Sequence, residues 1–435
     1  MLMNLGVLTL GCPKNLADME NFKGIMRSQG NAIVEDILMA DILVVDTCGF
    51  IEDAKRESIV EIFRAISAKK TNPDLKVIAV GCLVQRYFDE MKKDIPEIDG
   101  LIGVTSPLTL AKLIERGEYF YLGQPEGIYG FSDRLTDGYT AYVKIGDGCN
   151  RNCSFCSIPL FKGASKSRDL ESIKQESLSL VKKGVKEIVL VSQDNTQYGR
   201  DLTGGESLGS LLRELDSLNG DFWIRVMYLH PDHLDNTIIE TMLSLEKVVD
   251  YFDIPVQSGS DEILKRMGRS KKSQELKDMF LTIRRLAPHS ALRTTILVGF
   301  PGETEKTFQE TIDFVGQIGF DRLGGFAYSK EEGTPSFPFR RTINEEKAKE
   351  MLERLLEEQD LISAERLSSF RGKVMKVLVE ESGTSYSIGR AYNCAPEIDG
   401  AVVLKGHNEE GVFIRARITD TFEHDMEGVV LDELA

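Results

Sequence analysis

Compact apolar runs alternate with amphipathic stretches from the start of the chain. Leu5 to Leu10, Asp41 to Asp46 and Lys76 to Val80 are short apolar runs bounded by turn residues, which predicts strands. Between them, stretches such as Glu52 to Lys70 repeat apolar residues at helical spacing, which predicts helices. From Met1 to about Phe120 this alternation predicts an α/β unit with a mostly parallel sheet.

A Gly-rich, polar stretch without period, about Tyr121 to Thr140, reads as a linker. Beyond it a second βα series begins. Its candidate strands are Ala141 to Ile145, Glu187 to Val191, Trp223 to Leu229, Tyr251 to Pro255, Leu292 to Val298 and Arg322 to Tyr328, which predicts a barrel-like βα-repeat. A long charged helix, roughly Asn344 to Phe370, closes that region. Then the pattern changes: Lys373 to Val379, Ser387 to Ala391, Ala401 to Leu404, Val412 to Ile418 and Gly428 to Leu431 are short β-rich pieces, which predicts a small β-barrel. The expected organisation is an N-terminal domain over residues 1–122, a linker over 123–138, a central domain over 139–370 and the small barrel over 371–435.

The length of 435 residues suits two or three domains, and 42% hydrophobic with 28% charged residues is the composition of a soluble globular protein. No basic segment precedes the first apolar stretch and no apolar run reaches the ~18 residues of a membrane helix, so no membrane association and a cytoplasmic location are expected. Seven cysteines, an odd number, argue against a disulfide framework and for metal or redox use. The net charge of −16 argues against a general nucleic-acid surface and favours a basic partner.

Cys149, Cys153 and Cys156 form C-x3-C-x2-C in GDGCNRNCSFCSIP, directly after a candidate strand. Three thiolates in one loop can hold three irons of a cubane cluster and leave the fourth open. Zinc is the alternative, although a structural zinc site wants a fourth ligand and none matches nearby. Cys12, Cys48 and Cys82 share no local motif, yet each follows a predicted strand: LTLGC, VVDTCG and VIAVGC. In a parallel sheet those strand ends lie along one edge, so the three sulfurs could converge; equally, they could be three unrelated small core residues.

Phe155, just before the last cysteine of the C-x3-C-x2-C run, completes a pattern that resembles the radical S-adenosylmethionine (SAM) signature. An α/β domain with three dispersed cysteines, a domain with that signature and a small β-barrel together resemble the methylthiotransferase family over essentially the whole chain. The resemblance implies a parallel-sheet α/β domain, a radical-SAM partial (β/α) barrel and a TRAM barrel. It also implies two [4Fe-4S] clusters, one on Cys149, Cys153 and Cys156 and an auxiliary one on Cys12, Cys48 and Cys82. SAM would chelate the open iron, with an electron donor required. TTILVGFPGET (Thr294 to Thr304), FDIPVQSGSDEILKRMGRS (Phe252 to Ser270) and the strand end Ser192, Gln193, Asp194 resemble the family's SAM-side segments, which nominates Phe155, Gln193, Gln257, Val298 and Gly299 as SAM contacts. His230 and His233 lack a third ligand and are not expected to hold a metal.

The family acts on two substrate classes, tRNA adenosines and an aspartate of ribosomal protein S twelve. From Arg371 to Ala435 seven Lys and Arg face twelve Asp and Glu, a balance that should repel phosphate and attract a basic protein. IPLFKGASKSR, GGFAYSKEEGT and GRAYNCAPEIDG also resemble the protein-modifying subgroup, although Lys162 stands where Arg is usual and Cys394 where Asp is usual. The reading is therefore methylthiolation of the β-carbon of that aspartate, with RNA binding by the barrel not expected. A tRNA adenosine methylthiotransferase is the alternative, and a non-catalytic iron-sulfur or nucleic-acid-binding scaffold the alternative of another class. Cys394 reads as a structural thiol.

Overall fold

The computed structural model describes residues 2–127, 129–130 and 134–431. Among them no helix is long and apolar enough to cross a membrane. Residues 128 and 131–133 of the expected linker, and Asp432 and Glu433 among the barrel acids, lie outside the described residues.

The first sheet has six parallel strands in the order Ala32–Ile33, Asn4–Thr9, Ile42–Thr47, Lys76–Gly81, Gly100–Ile102, Phe120–Tyr121. Ile42–Thr47 is buried at every position because helices cover both faces, which explains its unbroken apolar run. Register matters most here. Thr9 pairs with Asp46, and Asp46 with Val80, so the three strands that precede the dispersed cysteines end level with one another.

In the central region six parallel strands follow chain order. Thr140–Lys144, Glu187–Val191 and Trp223–Val226 form one set, and Tyr251–Asp253, Ala291–Val298 and Arg322–Ala327 the other. A parallel bridge between Ile224 and Val248, and a hydrogen bond from Leu229 N to Asp253 O of 2.9 Å, stitch the two sets into one curved wall. One continuous core of Leu, Ile, Val and Phe fills its outer side. Two strands stop earlier than expected. Trp223–Val226 ends because Tyr228 turns to φ +55, and Tyr251–Asp253 ends ahead of Gln257 at φ +78. Both residues are non-glycine positions in the left-handed region, where strain collects at functional sites.

Asn344 caps the long helix Glu345–Ser368 by accepting Lys347 N at 2.8 Å. After it, Val374–Ser382, Tyr386–Ala391, Val402–Lys405, Met426–Val430 and Phe413–Thr421 close a five-stranded barrel in that spatial order. The barrel docks on the first strand set through buried charge: Glu187 takes Arg225 at 2.6 Å on one oxygen and Arg390 at 2.5 Å on the other. The described residues of the link between the first two domains, from 123 to 138, form no helix or strand, yet the link is tied to both domains. Its Arg134 is 2% exposed and holds Glu20 of the first domain and Glu176 of the second.

Candidate active site

Two glycines let the first cysteine trio form. Gly11 adopts φ +94, and a Cβ there would lie 2.9 Å from Cys48 Cβ; Gly81 adopts φ +97, and its Cβ would lie 2.7 Å from Asp46 Oδ1. Each glycine turns the chain sharply from strand into helix. Cys12 then caps the helix Pro13–Ser28 and Cys82 heads the helix Cys82–Asp94. Both helix N-termini bring free N–H groups and positive potential toward the sulfurs. Cys48 N donates to Ser58 Oγ at 3.0 Å, and Ser58 Oγ returns to Cys48 O at 3.2 Å, which fixes the third turn.

The second trio sits in a loop held from several sides. A two-residue antiparallel pair, Gly146–Asp147 with Lys166–Ser167, supports its base. Cys149 N donates to Gly163 O at 3.0 Å, Ser154 N to Met267 O at 3.0 Å, and Ser336 N to Ser154 O at 2.8 Å. Gly268, at φ +76, lets the segment after Met267 pass this close, since a Cβ there would lie 2.8 Å from Asn152 O.

All six cysteines, three from each domain, line a single cavity of about 420 Å³. Phe155, Gln193 and Gln257 line it as well. Val298 and Gly299 do not: Val298 is buried in the barrel core, and Gly299 N donates to Glu303 Oε2 at 2.5 Å. Cys394 is buried far from the cavity lining, with Arg322 donating to its sulfur at 3.5 Å. His230 lines the cavity against Arg269, whereas His233 is not in that wall. Sequence reasoning had passed over Lys14, Asn15, Arg151, Tyr228 and Arg269, which also face the cavity. Lys14 and Asn15 had a readable signal, namely their place in the first turn after Cys12; Tyr228 and Arg269 had none, because nothing local marks which loop folds inward.

Burial pushes the Cys48 and Cys149 thiols up to about 11 and the Cys156 thiol to about 12, and it raises Cys82 further still. A metal must therefore displace these protons as it binds. Among the described residues no three His, Cys, Asp or Glu side chains close on a point as around a single ion. A cubane would instead take each thiolate at a different iron. Lys14, Arg151, Lys162 and Arg269 bring positive charge to the cavity wall. Burial opposes ionisation of Asp147, but Lys144 and Lys162 hold its carboxyl far below the usual carboxylate range, leaving an ordered anion that accepts Gln193 Nε2 at 2.6 Å.

Fold and site together define a radical SAM enzyme with an attached TRAM barrel, and the sequence comparisons agree. Residues 143–315 match the Radical SAM superfamily, residues 372–431 the TRAM domain, and residues 4–103 a family described as "Uncharacterized protein family UPF0004". The chain is 52% identical over 431 residues to the "Ribosomal protein uS12 methylthiotransferase RimO" of Thermotoga maritima, which covers 99% of this chain and 100% of that one. It is 50% identical over 432 residues to the protein of the same name from Petrotoga mobilis, covering 98% and 99%. The chain belongs to the RimO family of methylthiotransferases. Membership of the radical SAM superfamily and of this family brings [4Fe-4S] clusters and SAM as cofactors. In fold it is similar to the radical SAM methyltransferase TsrM of Kitasatospora setae, with a TM-score of 0.60 and 13% identity over 78% of this chain and 77% of that one.

Proposed function

We propose that the chain adds a methylthio group to the β-carbon of an aspartate of ribosomal protein uS12. In this reading Cys149, Cys153 and Cys156 hold the cluster that binds SAM, and Cys12, Cys48 and Cys82 hold an auxiliary cluster that provides the sulfur. The convergence of both trios on one cavity is the observation that carries it. When bound, the reduced cluster and SAM supply the one-electron chemistry needed to open an unactivated C–H bond. An electron donor must therefore dock, and a ribosomal substrate assigns the enzyme to the cytoplasm.

The chain's own residues do the rest. Phe155, Gln193 and Gln257 form the SAM side of the wall, while Phe50, Phe161 and Phe326 give the cavity apolar surface that excludes water from reactive species. Partner choice follows charge. On the barrel Glu381, Glu397, Glu409, Glu410, Glu423 and Asp425 are exposed beside Arg371, Lys376, Lys405, Arg415 and Arg417, while Arg390 is buried against Glu187 and lost to any phosphate. The net charge of −16 over the whole chain favours a Lys- and Arg-rich protein over RNA, chiefly through encounter rate and specificity.

Incubation of the reconstituted enzyme with uS12 and, separately, with tRNA tests this reading by mass analysis of both. Methylthiolated aspartate in uS12 and unmodified tRNA is the expected result. Modified tRNA adenosine with untouched uS12 overturns it. Glu381, Glu409 and Glu423 to Lys should slow uS12 modification without changing SAM cleavage in its absence. Glu410 and Asp425 are left alone because they accept Ser382 N and Ala401 N at 2.9 and 2.8 Å.

A further inference from the structure

The two cysteine trios belong to different domains, so their separation is set by whatever crosses the domain boundary. Two buried charge clusters do so, and each is anchored beside cysteines of both trios. The first centres on Arg86, on the helix headed by Cys82. Its Nη1 donates to Gly49 O at 2.5 Å, next to Cys48, and to Glu331 Oε2 of the central domain at 2.9 Å. The same nitrogen lies 3.5 Å from Ser157 Oγ, next to Cys156. Arg86 and Glu331 side chains are 6% and 2% exposed.

The second centres on Lys144, which is wholly buried. Its Nζ lies 2.5 Å from Asp18 Oδ1, on the helix headed by Cys12, and 3.3 Å from Asp147 Oδ2, two residues before Cys149. Tyr129 of the interdomain link lies over the same ammonium, 5.0 Å from ring centre to nitrogen. Neither cluster lines the cavity. Buried ion pairs add little net stability over apolar packing, because desolvation offsets their attraction. What they do supply is direction: each oxygen and nitrogen admits one arrangement of the two domains.

We propose that Arg86–Glu331 and Lys144–Asp18 are positioning pairs that fix the distance and orientation between the two cluster sites, and so couple SAM cleavage to sulfur transfer. The proposal rests on the two-cluster reading above. Neither pair touches cluster, SAM or substrate, so their loss should leave each half reaction intact and spoil the connection between them.

The variants avoid leaving a buried charge unpaired: Arg86→Met with Glu331→Gln, in which Lys55 keeps Glu52, and Asp18→Asn, in which Lys144 keeps Asp147 and Asp147 keeps Gln193. Each is reconstituted anaerobically as the full chain. The expected result is about eight irons per chain, as in the wild type, with 5′-deoxyadenosine formation in the absence of uS12 within roughly two-fold. Methylthio product per 5′-deoxyadenosine should fall roughly ten- to hundred-fold, the scale of an ångström-sized misplacement. Electron paramagnetic resonance of the reduced protein should show an altered magnetic interaction between the clusters. Arg86→Lys, which keeps the charge opposite Glu331, should recover part of the yield. Unchanged product per 5′-deoxyadenosine with unchanged magnetic interaction overturns the proposal. So does loss of iron in these variants, which would reduce these contacts to cluster retention. A wild-type chain holding only about four irons would instead overturn the two-cluster reading beneath it.

Discussion

Glu303 lies in the turn after the strand Ala291–Val298, is 1% exposed, and accepts the N–H of Gly299 at 2.5 Å. Burial raises its pKa from 4.5 to about 7 in spite of hydrogen bonds from Gly299 and Phe300 that favour the anion. A carboxyl with a raised folded pKa binds its proton more tightly in the folded chain than in the unfolded one. Its contribution is therefore fully present below about pH 4.5 and is lost as pH rises through about 7. The shift corresponds to roughly 3 kcal/mol, spread over that window and constant above it.

Glu303→Gln keeps an oxygen for Gly299 N and cannot ionise. The buried carboxyls Asp18, Glu20 and Asp46 are raised by burial too, but they are present in both proteins and cancel in the difference. Urea unfolding of both proteins, followed from pH 5 to pH 8.5, should show wild type losing about 2.5 kcal/mol relative to the variant across the range. Amide exchange at Gly299, divided by the intrinsic base-catalysed rate, should lose protection with pH in the wild type alone. A difference that stays flat from pH 5 to 8.5 would refute the argument and leave Glu303 an ordinary ionised carboxylate.

The cysteine assignment divides cleanly by measurement: Cys153→Ala should abolish 5′-deoxyadenosine formation, whereas Cys48→Ala should retain SAM cleavage yet give no methylthiolated uS12. Full methylthiolation by Cys48→Ala would remove the second trio from the chemistry. Gly11→Ala, strained at φ +94 and set 2.9 Å from Cys48 Cβ, should cost the auxiliary site alone, lowering iron from about eight to about four per chain. Glu187→Ala should loosen the C-terminal barrel by about 3 to 5 kcal/mol, because it leaves Arg225 and Arg390 buried without their shared carboxylate. Limited proteolysis between residues 368 and 374 reads this out; equal resistance of the two proteins would count against it.

The long elements were legible because packing on one or both faces imposes a pattern long enough to read. Glu187–Val191 and Lys76–Gly81 show it, matching the expected strands within a residue. Three strands of the first sheet escaped notice. Ala32–Ile33, Gly100–Ile102 and Phe120–Tyr121 are two or three residues long, too short for any alternation to emerge. Convergence of Cys12, Cys48 and Cys82 was half legible. Their place after strands could be read, but whether the strands ended level depended on register between neighbours, which leaves no local trace.

Buried charge is where sequence pattern fails outright, and it fails at the places that matter most to this enzyme. Lys144 ends a strand, TAYVK, whose three middle members are apolar, and pattern assigns a lysine there to solvent. Arg134 lies in a stretch that composition marks as linker, yet it is as buried as the core around it. Carboxylates distant in sequence complete each of them: Asp18, with the nearby Asp147, for Lys144, and Glu20 and Glu176 for Arg134. A charge can be removed from water when an opposite charge and further donors meet it, and those partners come from another domain. The same condition makes such residues informative once seen. A lone surface lysine can drift without consequence, but Lys144 can be buried only while the helix of Cys12 and the loop of Cys149 are both in place. The burial of that one ammonium thus requires the two halves of the site to be assembled together.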